Sequence, residues 1–132
     1  MFYISEIEAH NSNSLANNKR DYCQEQAVDV DLISVDDLVK QQQLKKVDFI
    51  KIDAEGAEYA VLLGADQTIR EHKPTILLAL HPLFLVNFGV TLDQIWDHVS
   101  KLGYEVKFEN RAMPREEFIS CTGIFDVFLI RP

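Results

Sequence analysis

Basic residues and long apolar segments are both scarce in this sequence. It has 13 Lys and Arg residues against 21 Asp and Glu residues, which gives a formal net charge of −8 at pH 7. A chain of this charge is not expected to hold a nucleic-acid backbone, because phosphate binding requires clustered Lys and Arg side chains. No apolar run approaches the roughly 20 residues that span a bilayer, and the first residues lack the pattern of a signal peptide. The sequence therefore predicts neither a nucleic-acid partner nor a membrane span.

Cysteine and glycine are also infrequent. The two cysteines, Cys23 and Cys121, are far apart and form no Cys-x-x-Cys motif. In a chain without a signal peptide such thiols are expected to stay reduced, so we predict a cytoplasmic protein. The five glycines are spread from Gly56 to Gly123, and no two of them are close enough in sequence to form a glycine-rich cradle for a cofactor.

The rest of the composition is typical of one globular domain. The chain has 132 residues, of which 47% are hydrophobic and 26% are charged. This length can bury a hydrophobic core, and the composition is not that of a disordered chain. We predict a single domain over residues 1–132.

Strand and helix patterns alternate along the chain. Apolar, aromatic and β-branched residues predict strands at residues 1–9, 27–33, 47–54, 75–82, 104–108 and 125–132. Helical periodicity predicts helices from Ser34 to about Leu44, from Glu55 to His72 and from Thr91 to Leu102, and residues 10–26 read as a loop. This alternation predicts an α/β fold with a mainly parallel sheet. No helical pattern separates the last two strands, so we expect them to form an antiparallel pair at the edge of the sheet.

Acidic residues follow the most apolar of these strands. The stretch "VDFIKIDAEGAEYAVLLGA", residues 47–65, begins as a strand that we expect to be buried on both faces, and then carries Asp53, Glu55 and Glu58. His81 stands at the equivalent end of the next strand. In open α/β sheets, ligands bind beyond the carboxyl ends of the strands. We therefore predict a functional site at this edge of the sheet.

The same stretch resembles a known family. Together with the preceding "VDLISVDDL" and the following "KPTILLALHP", it is similar to the central signature of the FkbM-type methyltransferases, and the Asp-x-Glu-Gly-x-Glu element is its most specific part. The resemblance extends from about Phe2 to Tyr104. It implies a Rossmann-like class I methyltransferase fold, S-adenosylmethionine as cofactor, and O-methylation of a hydroxyl group on a sugar or another small molecule.

The chain also departs from this family. The glycine-rich turn that holds the methionine part of the cofactor, and the acidic residue that binds its ribose, are both missing from the sequence. We therefore expect a class I fold that is incomplete at its N-terminus, the C-terminal portion of a catalytic domain, which by itself binds S-adenosylmethionine weakly or not at all and is inactive. Ala79 stands where relatives usually have a Glu before the His-Pro pair.

The resemblance and the position of the acids suggest specific roles. We predict that Asp53, Glu55 and His81 are catalytic, because a general base must activate a hydroxyl before it can attack a sulfonium methyl group. Glu58 and Gly56 are predicted to contact the substrate, with Glu58 more peripheral than Asp53. Structural alternatives exist for each residue: the acids also suit the start of a helix, Gly56 suits a sharp turn, and His81 before a proline suits a turn. Asp53, Glu55 and His81 come from adjacent strand ends and could together bind a divalent metal, because carboxylates and imidazole are suitable ligands. No close ligand spacing supports this alternative, and we predict no metal site.

Two other functions are compatible with the pattern. The chain could be a non-catalytic α/β module, derived from the methyltransferase fold, that serves in binding or assembly. It could instead be a phosphoacceptor of the receiver type that uses Asp36, Asp37, Asp53 and Lys73, but Lys73 precedes a strand where a receiver requires a lysine at a strand end. The expected partners are a small hydroxyl-bearing acceptor and, through an exposed sheet edge, a second copy of the chain.

Overall fold

A computed structural model describes residues 2–5, 15 and 25–132, and for residues 2–5 and 25–27 it describes the backbone only. The described strands are β1 (Phe2–Ser5), β2 (Glu25–Val28), β3 (Phe49–Asp53), β4 (Thr75–Leu80), β5 (Glu105–Phe108), β6 (Arg111–Ala112) and β7 (Phe125–Ile130). The described helices are α1 (Val35–Gln41), α2 (Glu58–Leu63), α3 (Asp66–His72), α4 (Pro82–Leu85), α5 (Leu92–Lys101) and α6 (Arg115–Ser120), with a 3₁₀ turn at Val86–Phe88. The predicted α/β class is confirmed.

Five strands form one mixed sheet in the order β3-β4-β7-β5-β6. Strands β3 and β4 pair in parallel, as expected for two strands joined by a helical crossover. The β4–β7, β5–β7 and β5–β6 pairs are antiparallel. The prediction of a mainly parallel sheet is therefore wrong for the described strands, because β7 enters antiparallel between β4 and β5. The last two long strands do pair antiparallel, but β7 lies inside the sheet and not at its edge.

Strand β3 is an edge strand of this sheet, and the prediction that it is buried on both faces is wrong. Its side chains alternate, with Ile50 and Ile52 towards the core and Phe49, Lys51 and Asp53 exposed. Phe49 as a whole is 51% exposed. The apolar run arises because one face of β3 is buried and the open face also carries an apolar residue, Phe49. A continuous hydrophobic pattern does not distinguish this arrangement from burial on both faces.

The crossover between β3 and β4 consists of two short helices, α2 and α3, where a single helix over 55–72 was predicted. They meet at Gly64 and Ala65, where the N–H of Ala65 bonds the Leu62 carbonyl in a 3₁₀ pattern at 3.2 Å. Buried Leu62, Ala65 and Ile69 pack this crossover onto the core face of the sheet.

The region before β7 also differs from the prediction. Helix α6 and the short strand β6 lie between β5 and β7, where no helical pattern was recognised. Phe118 of α6 is fully buried and contacts the rings of Trp96 and Phe125 at centroid distances of 5.3 and 5.5 Å. Helix α6 therefore closes the core beneath α5 although only one of its residues is fully buried.

Two local predictions about helix starts are confirmed. Ser34 caps α1 by accepting the N–H of Asp37 at 3.0 Å. Thr91 and Gln94 form a reciprocal capping box at the start of α5. Such caps satisfy backbone N–H groups that have no partner within the helix.

The N-terminal strands form a separate antiparallel pair, β1 with β2. The predicted strand at 27–33 is shifted, because the observed strand ends at Val28 and both Val30 and Leu32 are exposed. The predicted loop at 10–26 lies outside the described residues, apart from Leu15 and the start of β2, and so does Cys23. Within the described part of the chain, no helix is long and apolar enough to cross a bilayer.

Candidate active site

The parallel pairing of β3 and β4 brings their carboxyl ends to the same edge of the sheet. Asp53, the last residue of β3, lies beside Ala79, two residues before His81. A tight turn at residues 54–57 then leads into α2, and the N–H of Ala57 bonds the carbonyl of Ala54 at 3.1 Å. The turn after β3 and the parallel pairing of β3 with β4 are therefore enough to bring Asp53, Glu55 and His81 next to one another.

Gly56 makes this turn possible. Its φ angle is +104°, a conformation that L side chains rarely adopt. A Cβ atom at this position would lie 2.8 Å from the backbone carbon and oxygen of Phe84 in α4. Gly56 is therefore buried against α4, and its close approach is to the chain itself. Its predicted contact with a substrate stays a prediction.

His81 and Glu58 form a buried pair. The Nδ1 atom of His81 lies 2.7 Å from Oε1 of Glu58, and the same oxygen accepts the N–H of Gly56 at 3.0 Å. His81 is 5% exposed and Glu58 is not exposed at all. The expectation that Glu58 is more peripheral than Asp53 is therefore wrong: Glu58 lies beneath His81 and holds the imidazole through Nδ1.

Asp53 and Glu55 face the other nitrogen of this imidazole. Its Nε2 atom lies 3.8 Å from Oδ1 of Asp53 and 3.8 Å from Oε1 of Glu55. Both separations exceed a hydrogen-bond distance. The Asp53 side chain is 42% exposed and that of Glu55 is 16% exposed, so the two carboxylates line the solvent side of the ring. The structure thus brings together Asp53, Glu55 and His81, as predicted.

Lys51 balances one of these charges from the open face of β3. Its Nζ atom donates to Oδ2 of Asp53 at 3.1 Å, which leaves Oδ1 directed to His81. Both side chains are largely exposed, so this pair contributes little to stability.

The surroundings raise the pKa of His81 above its ordinary value. The hydrogen bond to Glu58 makes the largest contribution, while burial of the ring acts in the opposite direction. The negative charges of Glu55, Glu58 and Asp53 raise it further.

An aromatic and apolar wall borders the site. The ring of Phe84 stacks on His81 with a centroid distance of 6.0 Å and an interplanar angle of 6°. An apolar cavity beside His81 is lined by Leu83, Phe84 and Ile124, and the side chains of Leu83 and Ile124 are strongly exposed. This wall was not predicted, because Phe84 and Leu83 lie in a four-residue helix that has no periodic signal.

The burial of Glu58 had a signal that could have been used. Glu58 shares a helical face with Leu62, Ala65 and Ile69, which lie four, seven and eleven positions further on, and all three are fully buried. A charged residue in line with three apolar ones indicates a buried carboxylate with a partner.

Asp36 and Lys73, which a receiver-type site would need beside Asp53, lie elsewhere. Asp36 caps α3 through hydrogen bonds from the N–H groups of Gln67 and Thr68 at 3.1 and 2.7 Å. Lys73 ends α3 before the start of β4, whereas Asp53 lies at the far end of β3. Because β3 and β4 are parallel, Lys73 lies near the amino ends of these strands and Asp53 lies at the carboxyl end of β3.

Among the described residues, one group of side chains has the geometry to hold a metal ion. Asp53, Glu55 and His81 each offer one ligand atom, and these atoms lie within 4.8 Å of one another. These are the three residues that the sequence indicates as a possible metal-binding set, although they have no close ligand spacing, because Asp53 and His81 come from different strands.

The chain matches a family model over most of its length. The family model described as "Methyltransferase FkbM domain" matches residues 3–106, which includes the turn at 54–57 and His81. No curated protein and no solved structure matches the chain.

Proposed function

Because this chain belongs to the FkbM methyltransferase domain family, we propose that it is the acceptor-binding part of an S-adenosylmethionine-dependent methyltransferase. The acceptor is a hydroxyl group of a sugar or another small molecule. In this proposal the five-stranded sheet is part of a Rossmann-like class I domain, whose ligands bind at the carboxyl ends of the strands. One observation carries the proposal: two acids of the most specific element of the family signature, Asp53 and Glu55, lie beside His81 at that edge.

Among the described residues, no two glycines are close enough in sequence to form a cradle for the methyl donor. Gly56 is used in the contact with Phe84, and Gly103 follows the C-terminus of α5 close to the Arg131 side chain. Neither is free to cradle a cofactor. We propose that the residues that hold S-adenosylmethionine are not among the described ones, and we expect the described residues alone to bind it weakly or not at all.

Each residue at the strand ends has a role in this proposal. Asp53 and Glu55, which line the solvent side of the imidazole, bind and orient the acceptor hydroxyl. Together with Nε2 of His81 they remove its proton, since a neutral alcohol is a poor nucleophile. Glu58 is completely buried, so we replace its predicted substrate contact with a positioning role through Nδ1 of His81.

A second candidate function is a non-catalytic binding or assembly module. The observation that favours it is the open face of the edge strand, where Phe49 is 51% exposed. In this case the acids at the strand ends serve only to start α2 and to hold His81, and their charges are not needed.

Methyl transfer distinguishes the two functions. The polypeptide encoded by the full reading frame that contains these residues is incubated with S-adenosylmethionine labelled in its methyl group and a panel of sugars and other small alcohols. Asp53→Asn keeps the size of the side chain, and we expect it to lower the rate by about 10²–10⁴-fold, the range of general acid–base catalysis. Asp48→Asn is the matched control, because Asp48 is exposed and lies before the opposite end of the same strand. Equal rates for the two variants, or no transfer to any acceptor, would contradict a catalytic role for Asp53.

A further inference from the structure

We propose that Asp53, Glu55 and His81 bind a divalent cation through one oxygen of each carboxylate and Nε2 of the imidazole. The cation's binding follows from the geometry of this chain alone. Its role in catalysis, described below, rests on the proposed function.

The two nitrogens of His81 have distinct surroundings. Nδ1 lies 2.7 Å from a carboxylate oxygen of the buried Glu58, which is a strong hydrogen-bond acceptor. In the neutral imidazole this places the proton on Nδ1 and leaves a lone pair on Nε2. The Nε2 atom faces one oxygen of Asp53 and one of Glu55, each at 3.8 Å. Three electron-rich atoms thus converge on one point.

The separations suit coordination better than hydrogen bonding. At 3.8 Å, neither carboxylate oxygen is within hydrogen-bond distance of Nε2. Ligand atoms about 2.1 Å from a common metal ion are roughly 3 to 3.5 Å apart. A small inward movement of the two carboxylates would therefore complete the site. The Asp53 side chain is partly exposed, so it is free to turn, and Lys51 contacts its other oxygen.

The burial of His81 is a second and independent indication. His81 is 5% exposed and its ring stacks on Phe84, so this packing and the contact of Nδ1 with Glu58 together fix the direction of Nε2. Glu58 below it is fully buried. A buried carboxylate that receives the N–H of a histidine, whose other nitrogen faces outwards, is the arrangement that orients metal-binding histidines in proteins.

The donor set indicates the class of ion. Carboxylate oxygens suit Mg²⁺ and Mn²⁺, whereas imidazole suits Zn²⁺, Fe²⁺ and other transition metals. Mn²⁺ accepts both kinds of ligand, and it is therefore the probe of choice. Three protein ligands leave coordination positions open on the solvent side.

An open position would serve the proposed reaction. An acceptor hydroxyl bound to the cation loses its proton more readily, because the positive charge stabilises the alkoxide oxygen. In this step the O–H bond breaks, the proton passes to a water molecule, and the oxygen keeps the electron pair and stays on the cation. With the cation bound, Asp53, Glu55 and His81 would act as its ligands, and the cation would promote the loss of the hydroxyl proton. Without the cation, these side chains would accept that proton themselves.

Binding of Mn²⁺ to the 132-residue chain tests the proposal without any methyl transfer. Electron paramagnetic resonance measures the loss of the free Mn²⁺ signal, and we expect saturable binding of one ion per chain. Asp53→Asn and Glu55→Gln alter partly exposed side chains, so the variants should fold. Each is expected to weaken binding by about tenfold or more, and Glu58→Gln by about 10–100-fold through the orientation of His81. Asp48→Asn should bind as the unaltered chain does.

Proton NMR of the imidazoles provides an independent measurement on the unaltered protein. Mn²⁺ should broaden the ring signals of His81 at lower concentrations than those of His72 and His98. His98 is a useful comparison, because its Nε2 lies 3.8 Å from a single carboxylate, that of Asp66. The absence of saturable binding by the folded chain, equal affinity in the ligand variants, or broadening without preference for His81 would each overturn the proposal. None of these outcomes depends on whether the protein transfers methyl groups.

Discussion

At the scale of single residues, the most consequential interaction is the buried pair of Glu58 and His81. One oxygen of Glu58 holds both Nδ1 of His81 and the N–H of Gly56. The other oxygen, Oε2, is buried without a hydrogen-bond partner among the described residues. A buried charge of this kind is costly unless its partners are well placed. The pair therefore ties the turn after β3 to the end of β4.

Replacing Glu58 by glutamine tests whether its charge holds this site together. Glu58→Gln keeps the shape of the side chain, but it removes the charge and puts an amide group at the buried position of Oε2. We expect a loss of about 1–3 kcal/mol in the free energy of unfolding, the cost of a buried polar group without a partner. Urea denaturation in the presence of a chelator measures it without any contribution from metal.

Glu116→Gln is the control for this experiment, because Glu116 is exposed in the first turn of α6. It should leave the stability nearly unchanged. Equal midpoints for the two variants would mean that the charge of Glu58 does not stabilise the fold, and that the orientation of His81 depends on packing against Phe84.

At the scale of elements, α1 is joined to α3 by a cap that comes from a distant part of the chain. Asp36 in the first turn of α1 accepts hydrogen bonds from the N–H of Gln67 and from both the N–H and the hydroxyl of Thr68. The residue before α3, Ala65, has no side chain able to cap. Asp36 thus supplies the cap that the local sequence lacks, and it joins α1 to the crossover.

We expect Asp36→Ala to lower the free energy of unfolding by about 1–2 kcal/mol at neutral pH, the usual cost of losing a helix cap. Burial acts to raise the pKa of Asp36, but the hydrogen bonds from Thr68 and Gln67 outweigh it, so the pKa is below its ordinary value. A carboxyl group whose pKa is lower in the folded than in the unfolded chain stabilises the fold at pH values above its pKa in the unfolded chain, which is about 3.9. This contribution is lost as the pH falls through the lowered folded value.

The measurement is chemical denaturation of the unaltered chain and the variant from pH 7 downwards. The difference in stability between them should shrink below about pH 4. Asp31→Ala is the control, since Asp31 is exposed before α1. A difference that stays constant over the whole pH range would show that the ionised form of Asp36 is not what caps α3.

At the scale of the whole molecule, the described helices cover one face of the sheet. Core residues such as Ile52, Leu78 and Val127 lie on the covered face. On the opposite face, side chains in register across the strands are more exposed, and Phe49 and Phe128 are 51% and 38% exposed. An edge strand with an apolar open face is a natural place for another chain to bind.

We expect the isolated chain to self-associate through this face. Phe49→Lys places a charge at the edge and should shift a concentrated solution towards monomer, as measured by sedimentation velocity. Phe128→Lys should act in the same direction if the open face takes part, and should have no effect if only the edge pairs. Leu83→Lys, which alters an exposed apolar residue of α4, is the control. A chain that is monomeric at all concentrations, or equal effects from the control and Phe49→Lys, would contradict this expectation.

The sequence by itself determined the parts of this protein that depend on neighbouring residues. The caps at Ser34 and Thr91 were predictable, because a cap is made within four residues of chain. The parallel pairing of β3 and β4 followed from two apolar runs joined by a helical crossover. The convergence of Asp53, Glu55 and His81 followed in turn, because parallel strands bring their carboxyl ends to one edge.

Only the tertiary structure decided the features that depend on distant residues. Strand β7 enters antiparallel beside β4, and nothing in its own pattern indicates which neighbours it takes. Glu58 is the buried partner of His81 because the face of α2 that carries Glu58 packs against the core. Glycine is required at position 56 because the backbone of Phe84 would lie 2.8 Å from a Cβ atom there. Periodicity shows which residues share a face, but the surface that covers that face is supplied by other segments of the chain, and their positions are set only when the whole core packs.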